Sequence, residues 1–194
     1  MRLPRSFYTD QDAVGAARSL LGKVLVTRLD GQYTAGVINE TEAYLGEGDR
    51  ASHAFGGRRT TRNEPMYGNG GMAYVYLCYG IHHLFNVVVM EPGVPQAVLI
   101  RSVVPLEGLQ RMAERRGVVK LTTHGPGTLT EALGIRTAHS GIDLTGQCIW
   151  IEDRGFVVPA RSLIIGPRVG VDYAGADALL PYRFRCAPSQ LALT

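Results

Sequence analysis

Cysteine is scarce in this chain, and what there is does not pair: Cys78, Cys148 and Cys186 are three in number and far apart among 194 residues. An odd, widely spaced set excludes a disulfide framework and a metal knuckle, and it fits a reducing compartment, so a cytoplasmic location is expected. No apolar run approaches the roughly 18 residues of a membrane span, and the first segment reads as a capped amphipathic helix instead of a leader, so no membrane partner is expected. Charge is also modest. The chain is 19% charged with a formal net charge of +3 and an isoelectric point near 8.9, which does not by itself imply nucleic acid. Internal repeats and low-complexity segments are absent. The 45% hydrophobic content excludes a disordered tail and supports a single domain, residues 1–194, with a sizeable core.

The elements that are present punctuate clearly. Thr9 to Asp12 (T-D-Q-D) fits a capping box, with Thr9 as N-cap and Asp12 reaching back. The helix then runs through Val14, Ala17 and Leu21 to a stop at Gly22. Lys23 to Leu29 reads as a strand, and Asp30-Gly31 is a two-residue turn that pairs it antiparallel with the strand following. Tyr74 to Leu77, the turn Tyr79-Gly80 and Phe85 to Val89 form a second hairpin. Gln96 to Val104 is a strand, and Pro105 opens a helix through Leu106, Leu109 and Met112 to Gly117. Thr123 to Ile135 is a glycine-rich turn into a helix, a backbone-amide site for an anion without the lysine or spacing of a nucleotide fingerprint. Further strands are expected at Cys148 to Glu152, Leu163 to Ile165, Arg168 to Val171 and Tyr182 to Cys186. The fold class is therefore α+β: a single compact domain with a curved, mainly antiparallel mixed sheet, flanking helices and a protruding β-hairpin.

Several residues break these patterns. The stretch from Val37 to Leu45, V-I-N-E-T-E-A-Y-L, places Asn39, Glu40 and Glu42 where a buried strand carries apolar groups. Residues two apart share a face, so the carboxylates of Glu40 and Glu42 stand about 7 Å apart. Facing a pocket, each raises the other's pKa and one is poised as a base; facing water on an edge strand, both are merely solvated. Arg101 alternates with Ala97, Leu99 and Val103 on an inward face, and its guanidinium needs a carboxylate, for which Glu40 or Glu42 is the natural partner. That pair either keeps a base ionised or is purely structural. Between Gly46 and Gly71 lies a long glycine-rich loop that holds His53, and its stretch from Arg50 to Asn63 carries Arg50, Arg58, Arg59 and Arg62 with no acid. Such a loop suits phosphates, or is simply a solvated basic loop. Tyr79 at a hairpin tip is placed to wedge between bases, whereas Tyr74 and Tyr76 also fit an aromatic ladder across the hairpin. Asn86 is polar among apolar neighbours. His82 and His83 are adjacent, point to opposite faces and do not share a metal.

Taken in order, Glu40 to Gly46 (E-T-E-A-Y-L-G), Ser52-His53 with Gly56-Gly57-Arg58, Thr61-Arg62-Asn63, Tyr74 to Gly80 with Asn86, Leu99 to Arg101, Pro105 to Gly108, Gly125-Pro126 and Arg168 to Val171 strongly resemble the alkyladenine (3-methyladenine) DNA glycosylases over nearly the whole chain. The resemblance implies a monofunctional base-excision repair glycosylase that flips alkylated or deaminated purines from duplex DNA. It implies that Glu42 activates water, with Arg101 and the Val169 carbonyl holding that water. Tyr44 and His53 would stack on one face of the base and Tyr76 on the other, with Asn86 crowding the amino group of normal guanine. Tyr79, seated by Gly80, would fill the gap in the duplex, and Arg58 and Arg62 would contact DNA. No cofactor or metal is implied, the partner is double-stranded DNA with damaged purines, and a monomer suffices. No lysine lies near Glu42 to form a Schiff base. One departure is Thr128, where the family usually has lysine, which weakens DNA anchoring at that turn. A non-catalytic nucleic-acid-binding module would not need Glu42 facing Arg101, and a hydrolase of free nucleosides would have no use for Tyr79 or the basic loop.

Overall fold

The computed structural model describes residues 1–193. In chain order these form α1 (Arg5–Thr9), α2 (Ala13–Ser19), β1 (Val24–Leu29), β2 (Gln32–Tyr44), β3 (Ala73–Cys78), β4 (His82–Val89), β5 (Gln96–Glu107), α3 (Leu109–Arg116), α4 (Pro126–Leu133), β6 (Ile149–Glu152), β7 (Phe156–Val157), β8 (Ile164–Gly166), β9 (Arg183–Arg185) and β10 (Ala192–Leu193). Eight strands make one sheet in the order β3-β4-β5-β2-β1-β6, with β9 paired to β2 and to β8; β7 and β10 form a separate ribbon. Every ladder is antiparallel, so the described sheet is antiparallel throughout rather than mixed.

β2 is the spine. Asp30 and Gly31 both take positive φ, 51° and 70°, as the tight turn joining β1 to β2 requires. Along one edge β2 pairs first with β1 and then with β9, and along the other it pairs with β5. Its register against β5 slips three times, first between Ala35, which faces Glu107, and Gly36, which faces Pro105, leaving Leu106 extra on β5. Ile38 faces Val103 and Glu40 faces Ser102, leaving Asn39 as an extra residue; Thr41 then faces Ile100, leaving Arg101 extra on β5. Bulges bend a strand and re-aim side chains, and here they turn the Arg101 guanidinium onto both Glu40 and Glu42.

Alternation divides the two faces of the sheet. Val75, Phe85, Val87, Val98, Ile100 and Ile38 point into the main core, against Ala16, Ala17, Leu20, Leu129 and Leu133 from the helices. Each such large side chain contributes roughly 1.5–3 kcal/mol on burial. The intervening positions face the other way, where Tyr74, Val88 and Ala97 pack under Ala54, Met66 and Tyr67 of the long loop. That loop is not irregular throughout: it holds short 3-10 turns at Gly46–Gly48, Phe55–Gly57 and Glu64–Tyr67.

Three local expectations change. Thr9 closes α1 and cannot cap α2; Asp12 is the N-cap instead, its Oδ1 accepting the Gly15 N–H at 2.8 Å. Pro105 does not open a helix, because β5 continues through it to Glu107. β4 leaves β5 at Leu99, and after a single bridge from Ser102 to His124 no described strand pairs with that edge, so a residue lacking N–H is tolerated at Pro105. Arg168 to Val171 is no strand but the turn into a 3-10 segment, Asp172–Leu179, with Gly170 at φ 74°.

Candidate active site

A single row of paired residues crosses four strands on the non-core face: Tyr74 opposite Asn86, Asn86 opposite Leu99, and Leu99 opposite Glu42. At about 4.8 Å per strand the row is roughly 14 Å long. Its first three members, Tyr74, Asn86 and Leu99, floor a cavity of about 570 Å³, within the roughly 300–1,000 Å³ of small-molecule sites. Tyr44, His53, Tyr76, Arg101 and Val169 stand around it.

Glu42 lies at the end of this row and is wholly buried. Its Oε1 accepts the Val169 N–H at 2.8 Å. Its Oε2 accepts the Tyr44 hydroxyl at 2.9 Å and the Arg101 guanidinium at 3.3 Å. Burial raises its pKa above the ordinary carboxylate value, while Arg101, the Val169 amide and the Tyr44 hydroxyl pull the other way. Glu42 itself is absent from the cavity wall; its three donors form that wall. The Val169 group that meets Glu42 is the amide; the role expected of its carbonyl was toward the water, not toward Glu42. Glu40 is different. Its Oε1 takes Arg101 and Arg183, each at 2.8 Å, so the acid holds Arg101 from the side away from the cavity and makes no carboxylate pair with Glu42.

His53 Nδ1 and the Tyr74 hydroxyl are 2.8 Å apart, and the His53 ring meets Tyr76 edge-on with centroids 4.6 Å apart. His53 is thus held by Tyr74 and stands edge-on to Tyr76, not parallel to it. Burial, with Arg62 and Arg58 nearby, lowers its pKa to about 4, so the ring is neutral at physiological pH. Asn63 holds the backbone under it, donating through Nδ2 to the carbonyls of His53 and Arg58. Asn86 is buried and donates to the Tyr74 carbonyl at 3.1 Å.

Tyr79 is 90% exposed at the β3–β4 turn, with Gly80 beside it. Of the loop arginines, Arg59 pairs with Glu64 at 2.5 Å, Arg62 lies 5.1 Å above the Tyr76 ring, and Arg50 and Arg58 are exposed. The Thr128 hydroxyl is occupied by the carbonyls of His124 and Gly125 at 2.7 and 2.8 Å. Among the described residues no cluster of three or more potential metal ligands occurs.

Sequence reasoning gave no role to Arg168, Asp49 or Tyr173, and read Tyr74 only as a rung of an aromatic ladder. Arg168 and Asp49 form a buried pair behind Tyr44, and Tyr173 lines the cavity mouth while donating to the Ala51 carbonyl at 3.1 Å. The available signal for Arg168 was its place beside Val169; Asp49 offered none.

The chain matches the methylpurine-DNA glycosylase family over residues 6–190. A relative from Chlamydia abortus named "putative 3-methyladenine DNA glycosylase" is 45% identical over 186 residues, covering 94% of this chain and 96% of that protein. Proteins of the same name from Desulfitobacterium hafniense and Bacillus thuringiensis are 43% identical over 199 residues and 40% identical over 195, covering 97% and 95% of both chains.

Proposed function

The chain belongs to the methylpurine-DNA glycosylase family, and from that premise we propose that it flips alkylated or deaminated purines, of the 3-methyladenine, 7-methylguanine, hypoxanthine and ethenoadenine class, out of duplex DNA. It then hydrolyses the N-glycosidic bond with a water activated by Glu42, leaving an abasic site. The observation that carries this reading is the Glu42 carboxyl, buried at the end of an aromatic cavity and held by three donors. A carboxylate offers about four acceptor positions. Val169, Tyr44 and Arg101 take three of them and wall Glu42 off from the cavity; the fourth, on Oε1, is the position left to take a proton from the attacking water once these donors admit it. The same negative charge stabilises the oxocarbenium character that the sugar gains as the purine leaves.

Tyr44 and His53 face one side of the extruded base and Tyr76 the other; Asn86 on the floor crowds the amino group of guanine. Tyr79 occupies the gap in the duplex, and Arg58 and Arg62 meet the backbone. No lysine lines the cavity among the described residues, and the proposed release is hydrolysis without strand cleavage. One copy carries all these parts and works as a monomer, and its three free thiols suit a reducing compartment.

The test is a duplex carrying one hypoxanthine or ethenoadenine. Wild type should produce abasic sites; Glu42→Gln should lose on the order of a hundredfold or more in single-turnover rate while still binding the lesion. Undiminished turnover by Glu42→Gln would remove the base assignment, and preferential cleavage of free inosine over the duplex would replace DNA repair with nucleoside hydrolysis.

A further inference from the structure

Arg168 and Asp49 are 119 residues apart in sequence, yet their side chains meet with only 0% and 3% exposure. They join fork to fork, Nη1 to Oδ2 at 2.5 Å and Nη2 to Oδ1 at 2.8 Å. We infer that this pair is the positioning unit of the site: it locks the Tyr44 wall and the Val169 amide into one body, so that base stacking and water activation are set together. The inference rests on the function proposed above.

The contacts of the pair converge on those two groups. Arg168 donates to the carbonyl of Ala43 at 2.9 Å, and Asp49 Oδ2 accepts the N–H of Leu45 at 3.0 Å, so the backbone is fixed on both sides of Tyr44. The guanidinium also lies 4.9 Å from the Tyr44 ring and 5.3 Å from that of Tyr182, fixing the ring itself. Asp49 Oδ1 accepts the Ala51 N–H at 3.0 Å, two residues before His53. Arg168 further donates to the Asp177 carbonyl at 3.1 Å. The next residue in the chain, Val169, is the amide donor to Glu42. Neither member of the pair lines the cavity, so both act through Tyr44 and Val169.

Stability alone does not account for this choice. Desolvating two charges is costly, and a well-packed apolar pair of similar volume is often as stable or more so. An apolar pair cannot satisfy the Ala43 and Asp177 carbonyls and the Leu45 and Ala51 amides in fixed directions, whereas a planar fork on a carboxylate can. Reacting groups need placement within about 0.5 Å. The geometry therefore buries charge where two walls of one site must keep a constant separation.

Asp49→Asn in the full chain tests this, since the amide keeps the shape but turns a donor toward the guanidinium. Three measurements are needed: single-turnover excision of hypoxanthine from acid to neutral pH, fluorescence of ethenoadenine in the bound duplex, and thermal melting. The rate per folded molecule should fall on the order of tenfold to a hundredfold, and the stacking quench of ethenoadenine should weaken with it. The acidic limb should also move to higher pH. Arg101, Arg183, Arg168, the Tyr44 hydroxyl and the Val169 amide surround Glu42, with Glu40 across Arg101; displacing the Val169 donor removes one of the groups holding the carboxyl ionised. Arg168→Lys, which keeps the charge but not the fork, should give the same changes in smaller measure and serves in place of Asp49→Asn if that variant does not fold. A lowered melting temperature with wild-type rate, limb and quench would make the pair purely structural and overturn the inference. Absence of excision by wild type on every lesion would count against the function proposed above instead.

Discussion

Glu42 and His53 place opposite demands on the pH dependence of stability. Burial holds the Glu42 carboxyl above its ordinary value of 4.5, against the pull of Arg101, Val169 and Tyr44. From 4.5 up to the raised value the folded chain keeps a proton that the unfolded chain has lost, so stability falls as pH rises through that window and stays lower above it. Glu42→Gln lacks this term. The stability of the Gln variant relative to wild type should therefore grow as pH rises above 4.5 and then level off, as denaturant melts of both proteins would show; a pH-independent difference would mean that the carboxyl titrates normally in the folded chain. His53 runs the other way. Its pKa falls from 6.5 to about 4, chiefly by burial and then by Arg62 and Arg58, so stability is lost as pH drops through that interval, and the ring should titrate near 4 by NMR. Of these residues, Glu42 and Arg101 were legible in the sequence because a charge on an alternating apolar face breaks a countable pattern. The Arg168–Asp49 pair was not. Arg168 sits in a segment that reads as a strand, Asp49 is an ordinary acid in a polar loop, and only the tertiary fold joins them.

At the scale of the element, the β3–β4 turn runs against local preference. Tyr79 takes φ 50° and Gly80 φ 73°, and Ile81 N–H closes the turn on the Cys78 carbonyl at 3.2 Å. A left-handed conformation costs a non-glycine residue about 1 kcal/mol, and the exposed ring recovers nothing by burial. Tyr79→Gly should therefore melt at or above the wild-type temperature. If the ring fills the gap left by a flipped base, the same change should cost about 1–3 kcal/mol of lesion-duplex affinity, measured by titration. Unchanged affinity would end the wedge assignment. Turns of this kind were readable from Asp30-Gly31 and Tyr79-Gly80, because a need for positive φ is local. Pro105 misled because its tolerance depends on where β4 stops pairing with β5. The bulges at Asn39 and Arg101, which aim the site, are properties of register between two strands, and neither strand carries that information alone.

For the whole molecule, a formal charge of +3 gives little long-range attraction to DNA, so the salt dependence of binding should reflect a few local contacts. The exposed Arg58 is proposed as one of them. Arg58→Ala should weaken lesion and undamaged duplexes by the same factor and flatten the slope of log affinity against log salt by about one. Arg62, lying over Tyr76, should behave differently. Its removal should lower affinity for lesion DNA more than for undamaged DNA, because the guanidinium also borders the cavity. The same logic supplies a gain. Thr128 commits its hydroxyl to its own turn and carries no charge where related glycosylases are expected to carry lysine. Thr128→Lys adds a cation at the start of α4, beside the cavity mouth, and should steepen the salt slope by about one while tightening both duplexes at low salt. Titrations of lesion and undamaged duplexes over a range of salt concentrations decide this. A steeper slope places the α4 turn against phosphate, whereas an unchanged slope places the DNA elsewhere and leaves Arg58 and the hairpin to hold it.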